Sequence, residues 1–244
     1  MAGKGGTGKT TIAALLVRII KEKELGSVLA VDADPNHNLG ELLGVEVRET
    51  IGGIIDDISV NPQSVPANMG KDAFIEYRVQ GAVIEAGGFD LLTMGRPEGP
   101  GCYCYVNNSL RNVMDKLTRD YDFVIIDNEA GLEHLSRRTT RRVDSLLVIS
   151  DATEAGLRAA NRIAGLTREL DIKVKNGSLI INRCGPGIEP ERIRDLELDY
   201  LGCLPADSGI AESSRVGSSL MALNETNAVL NVLSKLGEKI WLCH

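Results

Sequence analysis

Nothing in this chain reads as a membrane segment or an export signal. Its 244 residues contain no run of about 18 or more apolar residues, the length a helix needs to cross a bilayer. The N-terminus also lacks the charged-then-apolar layout of a secretory leader. A cytoplasmic location without stable membrane association is therefore expected. Basic residues are outnumbered, since 27 Lys and Arg stand against 34 Asp and Glu for a formal charge of −7. Nucleic-acid phosphates need a basic face, so no nucleic-acid partner is expected. Cysteines are few and odd in number, five in a chain long enough to build its own core. A disulfide framework is a poor reading of that pattern, and reduced thiols, some of them metal-binding, are the expectation.

What is present is a substantial apolar fraction, 43% of residues, enough for one large domain over residues 1–244. Short apolar runs alternate with longer helical patterns. The runs Ser27 to Asp32, Phe89 to Met94, Phe123 to Asp127, Ser145 to Ser150 and Ser178 to Asn182 are rich in Val, Ile and Leu, as strands buried on both faces should be. Between them, Thr10 to Lys23, Val106 to Arg119, Ala155 to Leu170 and Thr226 to Ile240 carry apolar residues at three- and four-residue spacing. Such alternation predicts an α/β fold, a doubly wound, mostly parallel sheet flanked by helices. The stretch from Gly52 to Phe89, with Pro62, Pro66 and the pair Gly87-Gly88, is the least regular and is expected to cover one edge.

The strongest chemical signal is Gly3-Lys4-Gly5-Gly6-Thr7-Gly8-Lys9-Thr10, a GxxxxGK[ST] phosphate loop running into a helical pattern that starts with Thr10 and Thr11. The glycines let backbone N–H groups converge on phosphate oxygens, and the helix N-terminus adds partial positive charge. Lys9 is placed to reach the β- and γ-phosphates and Thr10 to ligate Mg²⁺. Such a loop normally follows a buried central strand, yet only Met1 and Ala2 precede Gly3, so either the chain start is truncated or the sheet lacks that strand's length.

Two strand ends supply acids, and parallel sheets present ligands at the carboxyl ends of their strands. Phe123-Val124-Ile125-Ile126-Asp127 ends in the carboxylate read as the magnesium-side acid. Leu29-Ala30-Val31-Asp32-Ala33-Asp34-Pro35 ends in two more, Asp32 and Asp34, of which one can orient the attacking water and the other support magnesium.

With Lys4 inside the loop, the chain resembles the deviant phosphate-loop ATPases of the MinD and ParA group, P-loop NTPases of the SIMIBI type. The resemblance spans nearly the whole chain. It implies ATP hydrolysis coupled to homodimerisation, with Lys4 crossing to the partner's phosphates and Asp34 as the hydrolysis residue of a first switch. Within that group, Asp127-Asn128-Glu129-Ala130-Gly131-Leu132-Glu133-His134 and Gly99-Pro100-Gly101-Cys102-Tyr103-Cys104 resemble the second switch and the cysteine loop of CooC-type accessory ATPases. That resemblance implies a metallochaperone for nickel-dependent carbon monoxide dehydrogenase, with the apo-dehydrogenase as recipient and Ni²⁺ or Zn²⁺ held at the dimer interface by Cys102 and Cys104.

The cysteine pair makes chemical sense without the family. Thiolates at i and i+2 converge on one point, but two ligands rarely hold a metal alone, and a symmetric dimer supplies four. Cys184, Cys203 and Cys243 read as core or tail residues instead. His134 is either a metal-facing switch residue or a hydrogen-bonded loop histidine, and Glu129 competes with Asp34 for the base role. Asn182-Arg183-Cys184-Gly185 lacks the carboxylate that reads guanine, which favours ATP. The resemblance assigns adenine contacts to Asn182 and to the loop Leu204-Pro205-Ala206-Asp207, so Asn182, Arg183, Pro205 and Asp207 complete the nucleotide-binding set. The main alternative is a positioning or partition ATPase without a metal cargo. An iron–sulfur reductase is a further one, against which stands the missing second cysteine after Asp127.

Overall fold

The computed structural model describes residues 1–34, 36, 38–95, 104–128, 142–185 and 188–241. Its strands are β1 Ala2–Gly3, β2 Val28–Ala33, β3 Ile84–Ala86, β4 Phe89–Thr93, β5 Phe123–Asn128, β6 Arg142–Ser150, β7 Lys173–Cys184 and β8 Asp199–Pro205. The helices are α1 Lys9–Glu22, α2 Asn38–Leu43, α3 Ile51–Val60, α4 Lys71–Ala82, α5 Cys104–Leu117, α6 Glu154–Glu169, α7 Pro190–Ile193, α8 Ser208–Val216 and α9 Ala228–Trp241. The strands pair in the orders β3-β4-β2-β5 and β1-β6-β7-β8. Every pairing is parallel except the β3–β4 hairpin.

Met1 bridges the two halves. Its N-terminal ammonium donates to Ile126 O, and the Asn128 N–H donates back to the Met1 carbonyl. β1 is therefore short, as expected, yet sits between β5 and β6. The carboxyl ends of β5 and β6 are buried, while their amino ends, where β1 does not reach, are partly open. A cavity of about 360 Å³ lies there, walled by Leu16, Phe123, Ile125, Leu147, Ile240 and Trp241 among others.

Strand alternation sends successive side chains to opposite faces, and each face has its own helices. Val28 and Ala30 of β2, Leu91 of β4 and Ile149 of β6 meet α1, α2 and α9 in one core. Leu29, Val31 and Leu92 point the other way, into a core built with α3, α4 and α5. Val148, Leu179 and Ile181 meet α6 on that second side. α1 is buried along nearly its whole length, even at Arg18, whose guanidinium bonds Glu22 Oε1 at 2.6 Å and Leu220 O at 2.9 Å. A helix this enclosed holds the loop ahead of it in a fixed place.

The expected strands and helices are all present, with two corrections. The Gly52 to Phe89 stretch is ordered into α3, α4 and the β3 hairpin strand rather than irregular. Thr50 caps α3 by accepting from Gly53 N at 3.1 Å, and Pro62 sits in a 3-10 turn between the helices, so the prolines punctuate structure without dissolving it. β8, Asp199–Pro205, went unread because its half-exposed burial gives no continuous apolar run. Among the described residues, no helix is long and apolar enough to cross a membrane.

Candidate nucleotide site

The phosphate loop closes at the carboxyl ends of the strands. Thr7 Oγ1 donates to Lys4 O at 2.9 Å, and Lys9 Nζ reaches the same carbonyl at 3.4 Å. Gly8 precedes α1 with φ 92°, and no side chain caps the helix, so its first N–H groups stay available to an anion. A Cβ at Gly8 would run into Asn182 Nδ2, so glycine is required there by both backbone and contact. Asn182 Nδ2 donates to Thr7 O at 2.8 Å and Arg183 Nη1 to Gly6 O at 3.3 Å, which ties the end of β7 to the loop. Lys9 and Thr7 are buried, Gly8, Thr10 and Thr11 half-buried, and Lys4, Gly5 and Gly6 exposed.

The acids differ in how they are satisfied. Register aligns Thr93, Asp32 and Asp127 across β4, β2 and β5, so all three side chains share one face of the sheet. Asp32 is fully buried and accepts from Asp34 N at 3.1 Å and Leu39 N at 3.0 Å, one bond to each oxygen. Burial outweighs those bonds and pushes its carboxyl up to about 7. Asp127 is also fully buried, and among the described residues neither of its oxygens has a hydrogen-bond partner. Burial raises its pKa too, while the nearby Thr10 hydroxyl, which stands outside bonding geometry, the Met1 ammonium and Lys9 favour the charged form. Asp34 is half-buried and holds Asn36 through N–H and side-chain bonds of 2.9 and 2.8 Å.

A buried carboxylate with two unused oxygens, next to a phosphate loop and a threonine hydroxyl, is a donor set that a hydrated divalent cation completes. The residues present fit magnesium. Asp127 and Thr10 would hold the ion, with Asp32 beside Asp127 but already engaged by backbone.

On the neighbouring strand to β7, Pro205 ends β8 beside Cys184. Asp207 accepts from Ile210 N at 2.9 Å, capping α8, and from Asn227 Nδ2 at 3.0 Å. Both of its oxygens are thus spent on structure. Cys184 and Cys203, expected as reduced core thiols, face each other across β7 and β8 with Cα atoms 6.0 Å apart. Neighbouring parallel strands with a register shift between Ile181 and Cys184 bring the two within bridging range. Sequence reasoning also missed Asp151, whose carboxyl is held below the usual range by Thr153, with Lys4 and Arg183 adding to the effect. Cys102, Glu129 and His134 lie outside the described residues, as does Cys243. Cys104 opens α5.

Residues 1–181 match the AAA domain family. An uncharacterized ATP-binding protein of Methanocaldococcus jannaschii is 44% identical over 245 residues, covering 98% of this chain and 96% of its own. The carbon monoxide dehydrogenase accessory protein CooC of Rhodospirillum rubrum is 31% identical over 238 residues, covering 92% of this chain and 89% of its own. In structure, the cell division ATPase MinD of Pyrococcus furiosus superposes with a TM-score of 0.73 at 22% identity, covering 100% of this chain and 97% of that one. MinD of Pyrococcus horikoshii, solved with Mg-ADP, gives 0.71 at 22% identity, covering 98% and 93%. With a phosphate loop in place and relatives at 44% and 31% identity over nearly the whole chain, the chain belongs to the AAA-domain P-loop family of ATP-binding proteins and shares the fold of the MinD structures.

Proposed function

We propose that this chain is one ATP-hydrolysing domain that dimerises with a second copy, carries Ni²⁺ or Zn²⁺ and assists nickel insertion into carbon monoxide dehydrogenase. The observation that carries the nucleotide half is the unpartnered Asp127 carboxylate beside Lys9 and Thr10. Support for the cargo half is the likeness to CooC over 92% of the chain, together with the Cys102-Tyr103-Cys104 spacing.

In this reading Lys9 and the α1 N-terminus bind the β- and γ-phosphates and stabilise charge that develops as the terminal phosphate leaves. Thr10 and Asp127 hold magnesium, with Asp32 in support, and the bound ion neutralises phosphate charge. Asp34 orients the attacking water. The exposed Lys4 reaches the partner's phosphates, and Gly5, Gly6, Thr7, Gly8 and Thr11 complete the cradle. Asn182, Arg183 and Pro205 wall the adenine; Asp207 shapes that wall through its cap on α8. Cys102 and Cys104 of two protomers supply four thiolates, a set that suits tetrahedral Zn²⁺ or square-planar Ni²⁺, and nucleotide-driven closure assembles it. The positioning-ATPase alternative gives the cysteine pair no task. Its membrane form also needs a free amphipathic terminal helix, whereas the apolar face of α9 is spent in the core.

Calorimetry with Ni²⁺ and Zn²⁺, with and without ATP, tests the cargo, using the parent and the Cys102→Ala/Cys104→Ala double variant. One metal per dimer, lost in the variant and changed by ATP, is expected. ATP-dependent dimerisation without specific metal binding would return the positioning reading. Asp34→Ala should accumulate an ATP-bound dimer by molecular mass, and a variant hydrolysing at the parental rate removes Asp34 from its role.

A further inference from the structure

One member of the polar row at the strand ends has no task in the reading above. Thr93 ends β4, is 1% exposed, and among the described residues its hydroxyl has no hydrogen-bond partner. Register sets it beside Asp32 on the same face of the sheet, on the side away from Asp127. A buried hydroxyl without a partner destabilises a fold, and a valine of the same shape would remove that cost. The cost makes sense if the hydroxyl is bonded in another state of the protein.

Asp32 indicates which state. Its carboxylate is satisfied by the backbone N–H groups of Asp34 and Leu39. Asp34 is the residue assigned to direct water, and a shift of its backbone toward the nucleotide would draw its N–H away from Asp32. A fully buried carboxylate then loses a donor where bulk water cannot replace it. The nearest unspent donor by register is Thr93, and rotation about χ1 swings its oxygen between staggered wells without moving the backbone.

We propose that Thr93 is a positioning residue for hydrolysis, the spare donor that takes over Asp32 when Asp34 turns to the nucleotide. The proposal rests on the ATP-hydrolysing reading above. Thr93 touches no phosphate; it lowers the free energy of the working state by keeping Asp32 bonded there.

The test compares the parent with Thr93→Val and Thr93→Ser for ATP turnover, ADP affinity and Tm. Loss of one hydrogen bond present only in the working state predicts a kcat about tenfold lower in Thr93→Val. ADP affinity should stay within about twofold and Tm should equal or exceed that of the parent, because the resting state loses only an unpaired hydroxyl. Thr93→Ser should recover kcat to within about threefold, since it keeps the donor. An active parent with Thr93→Val at the parental rate overturns this inference alone. Equal losses of kcat in Val and Ser, tracking a lower Tm, assign Thr93 to packing and overturn it as well. A parent that does not turn over ATP removes the hydrolysis reading and this inference with it.

Discussion

The two ends of one sheet are incomplete in opposite ways. At the carboxyl ends of β2, β4 and β5 there is almost no solvent exposure, yet Thr93, Asp127 and Asn128 keep polar atoms without partners. At the amino ends of β5 and β6 there is room, about 360 Å³, walled largely by apolar side chains including the lone tryptophan, Trp241. The first place holds buried polar atoms; the second is lined mostly by apolar ones. Unpaired buried polar atoms are costly enough to need an explanation, and a charged ligand supplies one, whereas an apolar slot needs only packing.

The largest expected contrast comes from single substitutions at each end. Lys9→Ala should lower ATP turnover by roughly 10³-fold, the scale for losing a donor to developing phosphate charge, with little change in Tm. Trp241→Ala should do the reverse: it removes the edge-on contact with Phe123, rings 5.2 Å apart, and lowers Tm while leaving turnover intact. Equal effects of both variants on turnover would erase the distinction.

The smallest effect is on pH dependence. Asp32 moves from 3.8 to about 7, so the fold holds its proton more tightly than the unfolded chain does. That contribution to stability is complete below about 4 and is lost as pH rises through about 7. The Met1 amine, lowered from 8.0 to about 6, acts in the opposite sense between those values. The readout is therefore the difference between parent and Asp32→Asn in nucleotide-free Tm from pH 5 to 8. The parent should lose more Tm than the variant over that range, and parallel curves would show that Asp32 does not titrate there.

Much of the carboxyl end was legible in the sequence because its signals are local. The glycine spacing, Lys9, and the acids ending apolar runs at Asp32 and Asp127 each depend on one strand or turn. What was missed depends on neighbours brought together by topology. Thr93 is an unremarked strand residue until register sets it beside Asp32. Cys184 and Cys203 meet only because β7 and β8 pair. Asp207 was legible as a loop acid, but its spending as a cap on α8 was not, since β8 and α8 gave weak patterns. The amino-end slot was foreshadowed by the two residues ahead of Gly3, although its walls come from five separated segments.

The most direct test of the central contrast is the magnesium dependence of ATP binding by the parent and Asp127→Asn. The account predicts that Mg²⁺ tightens ATP binding to the parent by tenfold or more, that the variant loses most of this gain, and that its nucleotide-free Tm is no lower than the parent's. Equal magnesium dependence in both proteins would contradict it, because the unpaired oxygens of Asp127 would then have no ion to complete them.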